Sequence, residues 1–471
     1  MKIAVIDEGV MPVFKDELNI VEDLMVNNEY SVVNRSEENQ IITDHGYNVC
    51  KIINIYTQEV EIISIRIFNT LEMKTSIEAL IAAFQYCLDK RVPIIHLSGG
   101  TINLFDDYLL RDVIKNIVSN NQIIVAAHSN NKGLSFPAFY PGVFSARAYE
   151  LSNSYDDVKN RWGYSLTSIS KHKININENL NYVTQIANSY AAPVLTANIY
   201  NNIKSNGDKN IKRILSNIGI DNNVFLCELP YFLDKVTIIN FCSEVILEEI
   251  LSFEVRNIYD DIVFTLDSED YIFIPHNNKE NNTKKLREFL NLLPVNHNRI
   301  RIFYVGVVDS SIESIMTSYP FEFWLLPSDD VYPICASTTD LNDCGTIYFK
   351  GKKELVYSIM TKLRDDFLED GFNCFAISDY LEAVLYDIYY FENLTNSVRR
   401  QQLEYVLEPD VELVYTKTEE YIETENSMLI ECMKEEDIVK LIIRSKKIKE
   451  EIYIWEKEDI NKLFQKIINI E

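Results

Sequence analysis

Three residues far apart in the chain have the types and neighbours of groups that do chemistry. Asp7 ends an apolar run, His45 opens a predicted helix, and Ser189 stands at a helix entrance, followed by small residues. A serine with small neighbours can be approached by a peptide backbone, which is the setting of a nucleophile. A carboxylate after a strand, or a histidine at a helix start, occurs in many α/β proteins. The reaction is therefore indicated by the three segments together.

The three segments resemble the motifs of the subtilisin-like serine proteases, the subtilases, in the same chain order. The matching segments are Asp7-Glu8-Gly9, His45-Gly46-Tyr47 and Ala187-Asn188-Ser189-Tyr190-Ala191-Ala192-Pro193. The order Asp, His, Ser distinguishes subtilisin from chymotrypsin and the α/β-hydrolases. The resemblance implies a catalytic triad in which Ser189 attacks the scissile carbonyl, His45 accepts its proton and Asp7 orients the imidazole.

Further segments resemble the family between the second and third motifs. They are Ile95–Gly100, Val125–Asn130, Phe136–Ala138 and Val143–Ala146. By this resemblance Asn130 and the backbone N–H of Ser189 form the oxyanion hole. The residues expected to bind substrate are Ser98, Gly99, Gly100, Ala127, His128 and Ser129. For His128, a purely space-filling role is an open alternative.

Four residues depart from the family motifs next to the predicted catalytic groups. They are Glu8, Tyr47, Ala187 and Asn188, where the family has Ser or Thr, Thr, Gly and Thr. None of them removes an atom of the triad, and whether Glu8, Tyr47, Ala187 and Asn188 reduce activity is left open by the sequence. The intact set favours a working protease over a pseudoprotease that keeps the fold as a binding scaffold.

The residues between these motifs alternate between strand and helix patterns. Predicted strands are Lys2–Asp7, Glu61–Phe68, Pro93–Ser98 and Gln122–Ala127, and predicted helices are Thr75–Lys90, Asp107–Asn120 and a stretch through Ala191 to about Ile203. Continuous apolar runs separated by helical patterns are typical of a parallel sheet covered by helices. We therefore expect an α/β fold for residues 1–220, and the resemblance to the subtilases implies that it is a subtilisin-like three-layer parallel sheet with helices on both faces.

The second part of the chain is predicted to be an α/β accessory domain at 221–395 with an α+β extension at 396–471, which is either separate from that domain or part of it. Predicted strands are Tyr271–Pro275, Ile300–Val307, Phe323–Leu326 and Glu412–Thr416, and predicted helices are Lys284–Leu293, Glu354–Leu368, Glu435–Lys449 and Asp459–Ile468. Phe349–Lys353 lies between a strand and a helix but lacks the spacing of a P-loop. The acidic pairs Asp329-Asp330 and Asp365-Asp366 are typical of solvated surface, so we predict no metal and no cofactor.

Charge and cysteine content exclude several classes of function. The 471 residues carry 45 basic and 71 acidic side chains, a net charge of −26, which disfavours nucleic acid as a partner. The eight cysteines contain no CxxC pair, and no run of about 18 apolar residues predicts a membrane span. The start of the chain has no signal-peptide pattern. We therefore expect a cytoplasmic protein that is not membrane-bound.

The position of Asp7 near the start of the chain predicts an intracellular subtilase without a propeptide. An intact triad joined to about 250 further residues suggests selection of one substrate, as in peptide-maturation subtilases that remove a leader from a ribosomally made peptide. Residues 201–471 carry 29 basic and 49 acidic side chains, against 16 and 22 in residues 1–200, which suggests a basic leader. The alternatives are a general turnover protease and the pseudoprotease scaffold.

Overall fold

The computed structural model divides the chain into two compact units. The first comprises Met1–Ile102 and Leu109–Phe225, and the second comprises Asn103–Tyr108 and Leu226–Glu471. The structure describes residues 1–36, 43–57, 59–68, 74–130, 135–151, 163–177, 180–207, 209–220, 222–243, 245, 247, 253–261, 269–276, 281–294, 300–327, 344–395, 397–418, 424, 426–435, 438–446, 449–454 and 460–468. Asp329-Asp330 and Cys335 lie outside these residues.

The first unit is built on an eight-stranded sheet. Its strands are β1 (Lys2–Asp7), β2 (Ile20–Val26), β3 (Val32–Asn34), β4 (Glu61–Arg66), β5 (Ile94–Leu97), β6 (Ile123–Ala127), β7 (Phe144–Ala148) and β8 (Tyr164–Ser168). They lie in the order β3-β2-β4-β1-β5-β6-β7-β8, and every neighbouring pair is parallel except β2 and β3. The two strands β9 (Lys173–Asn177) and β10 (Leu180–Val183) form a separate antiparallel pair.

Helices connect these strands. They are α1 (His45–Tyr56), α2 (Ile77–Asp89), α3 (Leu104–Ser119), α4 (Asn188–Asn206) and α5 (Ile211–Asn217). The central strands β1, β5 and β6 are buried along nearly their whole length, which explains why their sequences are continuous apolar runs instead of alternating ones. The predicted α/β class is confirmed, as are the strands and helices predicted in this unit.

Six strands, five of them in parallel pairing, form a sheet that lies mainly in the second unit. Its strands are β11 (Val224–Leu226), β12 (Lys235–Asn240), β13 (Glu254–Tyr259), β14 (Asp270–Ile274), β15 (Arg301–Tyr304) and β16 (Glu322–Leu325), with helices α6 (Asn282–Leu292) and α7 (Ser310–Thr317). The order is β11-β16-β15-β14-β12-β13. The chain therefore passes from β12 to β13 on one side and then crosses to β14 on the other.

A seven-stranded sheet completes the second unit. Its elements are β17 (Gly345–Gly351), α8 (Lys353–Glu369), β18 (Cys374–Ser378), β19 (Tyr389–Tyr390), α9 (Val398–Leu407), β20 (Val411–Tyr415), β21 (Ser427–Glu435), β22 (Ile438–Arg444), β23 (Lys449–Ile454) and α10 (Ile460–Ile468). The strand order is β19-β18-β20-β17-β21-β22-β23, parallel as far as β21 and antiparallel beyond it.

The helix predicted over Glu435–Lys449 is wrong, because most of these residues belong to antiparallel strands. Five of the seven residues of β22 are Ile, Val or Leu, which suit a pleated, half-buried strand. Leu441 and Ile443 are fully buried and lie opposite Cys432 and Ile430 of β21. The apolar spacing fits a helix as well as a strand over so short a run, and pairing with β21 decides between them.

The seven described cysteines are all free thiols. Within the described ranges, every helix is too short or too polar to cross a bilayer.

Candidate active site

The topological switch point of the first sheet lies where β1 and β5 end. The chain adds β2, β3 and β4 on one side of β1 and β5 to β8 on the other, so the connections diverge between these two neighbours. In open α/β sheets, ligands bind outside the carboxyl ends of strands at such a switch point. Asp7 is the last residue of β1, and Ser98 follows the last residue of β5.

The structure brings together the three residues predicted as catalytic. His45 Nδ1 lies 3.0 Å from Asp7 Oδ1, and His45 Nε2 lies 3.1 Å from Ser189 Oγ. The Asp7 side chain is 1% exposed, whereas that of His45 is 22% exposed. The hydrogen-bond pattern fits an imidazole that donates from Nδ1 to the carboxylate and accepts the serine proton at Nε2. The carboxylate is thus shielded while the face that exchanges protons is open.

Burial and charge together shift the pKa values of both Asp7 and His45. Burial raises the pKa of the Asp7 carboxyl, but the charge and hydrogen bond of His45, together with hydrogen bonds from the Glu8 N–H and Ser98, bring the net pKa below its ordinary value. Burial lowers the pKa of the His45 imidazole, but the charge and hydrogen bond of Asp7 raise it by more, aided by Glu8 and Asp44. The His45 pKa therefore lies above its ordinary value of 6.5.

Glu8, which departs from the family motif, holds the start of α1. Its carboxylate accepts hydrogen bonds from Thr43 Oγ1 at 2.7 Å and from the Gly46 backbone N–H at 3.2 Å. Thr43 Oγ1 in turn accepts from the His45 N–H at 3.2 Å. Orphan donors of a helix N-terminus are satisfied in this way, and a negative charge is favourable there. Glu8 therefore positions His45 and does not disrupt it.

Gly46 is required by a close approach between α1 and the turn after β1. A Cβ at this position would stand 2.2 Å from the carbonyl oxygen of Gly9. Tyr47, in place of the family Thr, is fully buried, and its hydroxyl donates to Glu17 Oε2 at 2.9 Å. A glycine is therefore required sterically after His45. Tyr47 links α1 to Glu17.

Asn188 ties the nucleophile to the neighbouring strand ends. Its Nδ2 donates to the carbonyls of His128 and Ser129, at 3.1 and 3.0 Å, and its Oδ1 accepts from the Ala148 N–H at 2.7 Å. The side chain is buried with its amide bonded on both ends. Ala187 before it has φ −158° and ψ 148°, an extended backbone that any residue adopts. Neither replacement strains the approach to Ser189.

The predicted oxyanion residue Asn130 lies beside the start of α4. Its Oδ1 accepts the backbone N–H of Asn188 at 2.7 Å, one residue before Ser189. Because a backbone N–H can only donate, this bond assigns the orientation of the amide and leaves Nδ2 as a donor. The Ser189 N–H is among the first donors of α4, which have no partner within the helix. Two donors are thus available near the nucleophile.

The predicted substrate-binding residues after β5 have mixed settings. Gly99 is partly exposed and Gly100 exposed, and a Cβ on Gly100 would stand 2.7 Å from the carbonyl oxygen of Phe136. Thr101 and Phe136 are joined by two backbone hydrogen bonds, of 3.0 and 2.7 Å. Gly100 is therefore needed where two loops meet.

The predicted substrate-binding residues after β6 differ in exposure. Ala127 and His128 are buried, whereas Ser129 is partly exposed, with its N–H bonded to Ser135 Oγ at 2.9 Å. His128 Nε2 lies 3.0 Å from Ser145 Oγ in β7. The space-filling alternative for His128 fits this interior position better than contact with substrate does.

A buried histidine that the sequence analysis did not single out adjoins the site. His96, in β5, has no exposed surface; its Nδ1 lies 2.7 Å from Thr196 Oγ1 and its Nε2 lies 2.9 Å from Ser98 Oγ. Ser98 also hydrogen-bonds the Asp7 carboxylate and lowers its pKa, so this hydroxyl supports Asp7 instead of only lining a cleft. Burial lowers the His96 pKa to about 4, which keeps the imidazole neutral. The sequence feature that could have identified His96 is its position inside an apolar strand.

Comparison with known proteins gives similarity at the level of solved structures only. The match to the structure of the prenylagaramide maturation protease PagA spans 45% of this chain and 76% of the PagA chain, at 18% identity and a TM-score of 0.33. The match to the epidermin leader peptide processing serine protease EpiP from Staphylococcus aureus spans 45% of this chain and 67% of the EpiP chain, at 13% identity and a TM-score of 0.36. Similarities this weak assign no function. No protein-family model and no curated protein sequence matches the chain.

Proposed function

We propose that this protein is a serine endopeptidase of the subtilisin-like type, with Asp7, His45 and Ser189 as its catalytic triad. The observation that carries the proposal is the unbroken hydrogen-bonded chain from Asp7 through His45 to Ser189 Oγ, with steps of 3.0 and 3.1 Å. Nucleophile, base and orienting carboxylate within hydrogen-bond reach are the geometric signature of covalent acyl transfer.

The proposed reaction follows from these contacts. Ser189 Oγ attacks the scissile carbonyl carbon while its proton passes to His45 Nε2, and Asp7 stabilises the resulting imidazolium. The oxyanion of the tetrahedral intermediate accepts hydrogen bonds from the Ser189 N–H and from Asn130 Nδ2. The intermediate expels the amine, which takes the proton from His45, and leaves an acyl ester on Ser189. Water, deprotonated by His45, then hydrolyses the ester and releases the acid.

The raised pKa of His45 predicts the acid limb of the pH profile. Only the neutral imidazole can accept the serine proton, so activity falls as the pH falls through the His45 pKa. Because that pKa lies above 6.5, we expect the loss to begin on the alkaline side of this value. The measurement is kcat/KM against pH with a fixed peptide substrate.

The experiment that tests the proposal is intact-mass analysis after treatment with a fluorophosphonate probe. Labelling needs an activated serine and an oxyanion site but no knowledge of the substrate. We expect one adduct on the wild type and none on Ser189→Ala, with Ser168→Ala as a matched control that keeps the adduct. A folded wild type that stays unlabelled would contradict the proposed endopeptidase activity and favour the pseudoprotease scaffold.

We further propose that the substrate is a precursor peptide from which a leader is removed. The support is the sequence resemblance to subtilases together with a second unit of α/β structure that contributes none of the three catalytic residues. A dedicated protease gains selectivity from contacts outside the cleaved bond. The cytoplasmic setting expected from the sequence remains a prediction.

Synthetic precursor peptides test this refinement. We expect cleavage of a peptide with a basic leader segment, weaker cleavage after Lys→Gln changes in that segment, and a rate that falls with salt. Casein serves as the comparison substrate. Broad digestion of casein with no preference for the basic peptide would favour general turnover, without affecting the evidence for the triad.

A further inference from the structure

The second unit has its own topological switch point, which the proposed peptidase does not use. In the parallel sheet, β12 pairs with β13 on one side and with β14 on the other. The order β13-β12-β14-β15-β16 corresponds to the 2-1-3-4-5 order of doubly wound sheets, in which ligands bind outside the carboxyl ends of the first and third strands. The residues after these two strands are therefore the place to look for a ligand site.

A cavity of about 330 Å³ lies at that place. Cys242 after β12 and Pro275 after β14 line it, together with Gly306 after β15. We call it the accessory cavity. Its volume falls within the range of small-molecule sites, roughly 300–1,000 Å³.

The seven-stranded sheet of the same unit supplies the other wall of the accessory cavity. Lys353 follows β17, Tyr380 and Glu382 follow β18, and Lys417 follows β20, and all four line the cavity. Six parallel strands from two sheets therefore present their carboxyl ends to one space. Loops at this end of parallel strands are where α/β proteins place their binding residues.

Two lysine ammonium groups lie close to one aromatic ring that lines the cavity. Lys353 Nζ lies 4.3 Å from the centre of the Tyr380 ring and Lys417 Nζ lies 5.3 Å from it. Lys353 also pairs with Glu382 Oε1 at 2.6 Å. Among the described residues, Lys417 Nζ has this ring contact and no carboxylate partner. A cation thus remains in excess here, in a chain whose net charge is −26.

The backbone between β17 and α8 adds donors to the same wall. Gly351 has φ +152°, and a Cβ there would stand 2.5 Å from the carbonyl oxygen of Cys432, so this strand-to-helix turn requires glycine. The 17-residue helix α8 begins at Lys353, and no side chain caps its N-terminus. Its first N–H groups and its dipole favour an anion. The segment Phe349–Lys353 thus has a geometric role without the spacing of a P-loop.

We propose that the accessory cavity binds a small phosphate-bearing anion, with Lys353 and Lys417, both close to the Tyr380 ring, as its cationic contacts. Two ammonium groups and a helix N-terminus suit a dianion better than a single carboxylate. Glu382 holds one proton of Lys353 and leaves the others for the ligand. The shared chemistry is the phosphoryl group, whose source is either free phosphate or a phosphate ester.

Calorimetric titration of the full chain tests the proposal. The probes are inorganic phosphate, glycerol 3-phosphate and the dicarboxylate succinate, at constant ionic strength to remove general screening. We expect the phosphate probes to bind and succinate to bind more weakly. Tighter binding of glycerol 3-phosphate would identify the ligand as an ester, and binding of phosphate alone would identify free phosphate.

Variants locate the binding. Lys417 is exposed, so Lys417→Met is expected to fold, and it should weaken phosphate binding about tenfold or more, while Lys417→Arg retains most of it. Lys235→Met, at the amino end of β12, is the matched control and should leave binding unchanged. Absence of binding by both phosphate probes, equal affinity in Lys417→Met, or succinate binding as tightly as phosphate would overturn the proposal.

Discussion

Both units of this protein contain a buried carboxylate with a basic partner in hydrogen-bond reach, and two such carboxylates, Asp7 and Glu228, differ in what their partners can do. In the first unit the buried Asp7 carboxylate faces His45, whose second nitrogen reaches Ser189 at 3.1 Å. In the second unit the buried Glu228 carboxylate lies 2.9 Å from Arg399 Nη2.

The partner of the carboxylate makes the difference. The Arg399 guanidinium is 1% exposed and donates further to the carbonyls of Pro327 and Tyr390, at 2.7 and 2.6 Å. Arginine stays protonated at any ordinary pH, so this pair can hold segments together but cannot exchange a proton. Histidine changes charge near neutrality, and His45 keeps an open face. Of these two buried carboxylates, only Asp7 therefore has a partner that can titrate and that is open to solvent.

The sharpest test of this comparison is removal of the titratable partner. His45→Ala should lower kcat/KM by roughly 10⁴–10⁶ and abolish fluorophosphonate labelling, because no other described group is within reach of the Ser189 proton. The double variant with Ser189→Ala should be no worse than either single variant, since the residues act as a unit. Labelling that persists in a folded His45→Ala protein would show that Ser189 is activated without His45.

Removal of the other pair's cation should affect stability instead of chemistry. Arg399→Met leaves Glu228 buried without its ion partner, and we expect a loss of about 3–5 kcal/mol in the free energy of unfolding. Urea unfolding followed by circular dichroism measures it. Adding Glu228→Gln to the same chain should recover part of the loss, and a single-variant loss below about 1 kcal/mol would refute the assignment.

Loss of the proposed oxyanion donor, Asn130, should have the next largest effect. Asn130→Ala is expected to lower kcat by about 10²–10³ with a smaller change in KM, because the amide acts where charge develops in the transition state. Asn206→Ala, which removes an amide at the far end of α4, is the matched control. If Asn130→Ala lowers thermal stability as well as kcat, Asn130 only holds Asn188 in place.

The smallest expected effect concerns His96, a third buried titratable group. Its folded pKa of about 4 lies below the ordinary value of 6.5, so the unfolded chain binds a proton that the folded chain excludes. Stability is therefore lost as the pH falls below 6.5, by about 2 kcal/mol between pH 7 and pH 5. In His96→Gln this part of the pH dependence should vanish. An unchanged slope would show that His96 is not the group responsible.

The sequence predicted the elements of the first unit closely because their signals are local. Each central strand is a continuous apolar run, and each motif residue stands at the end of an element. The prediction failed at Glu435–Lys449, where the apolar spacing suits a helix and a strand alike. Cross-strand pairs such as Ile430 with Ile443 decide that case, and they depend on β21.

The predictions for the residues around the proposed triad were less complete. Glu8 and Asn188 stood out in the sequence only as departures, whereas the structure gives each a full set of hydrogen bonds. His96 drew no attention, and the accessory cavity is assembled from turns that carry no motif. Roles of this kind come from contacts between segments, which a local pattern does not contain.

The sequence by itself determined the α/β class, the residue types able to perform acyl transfer and their order along the chain, since these depend on local composition and periodicity. Only the tertiary structure decided that His45 and Ser189, 144 positions apart, come within 3.1 Å, that Ser98 supports Asp7, and that six strand ends surround one cavity. The physical reason is that such distances are set by how sheets and helices pack, and packing is a property of the whole folded chain.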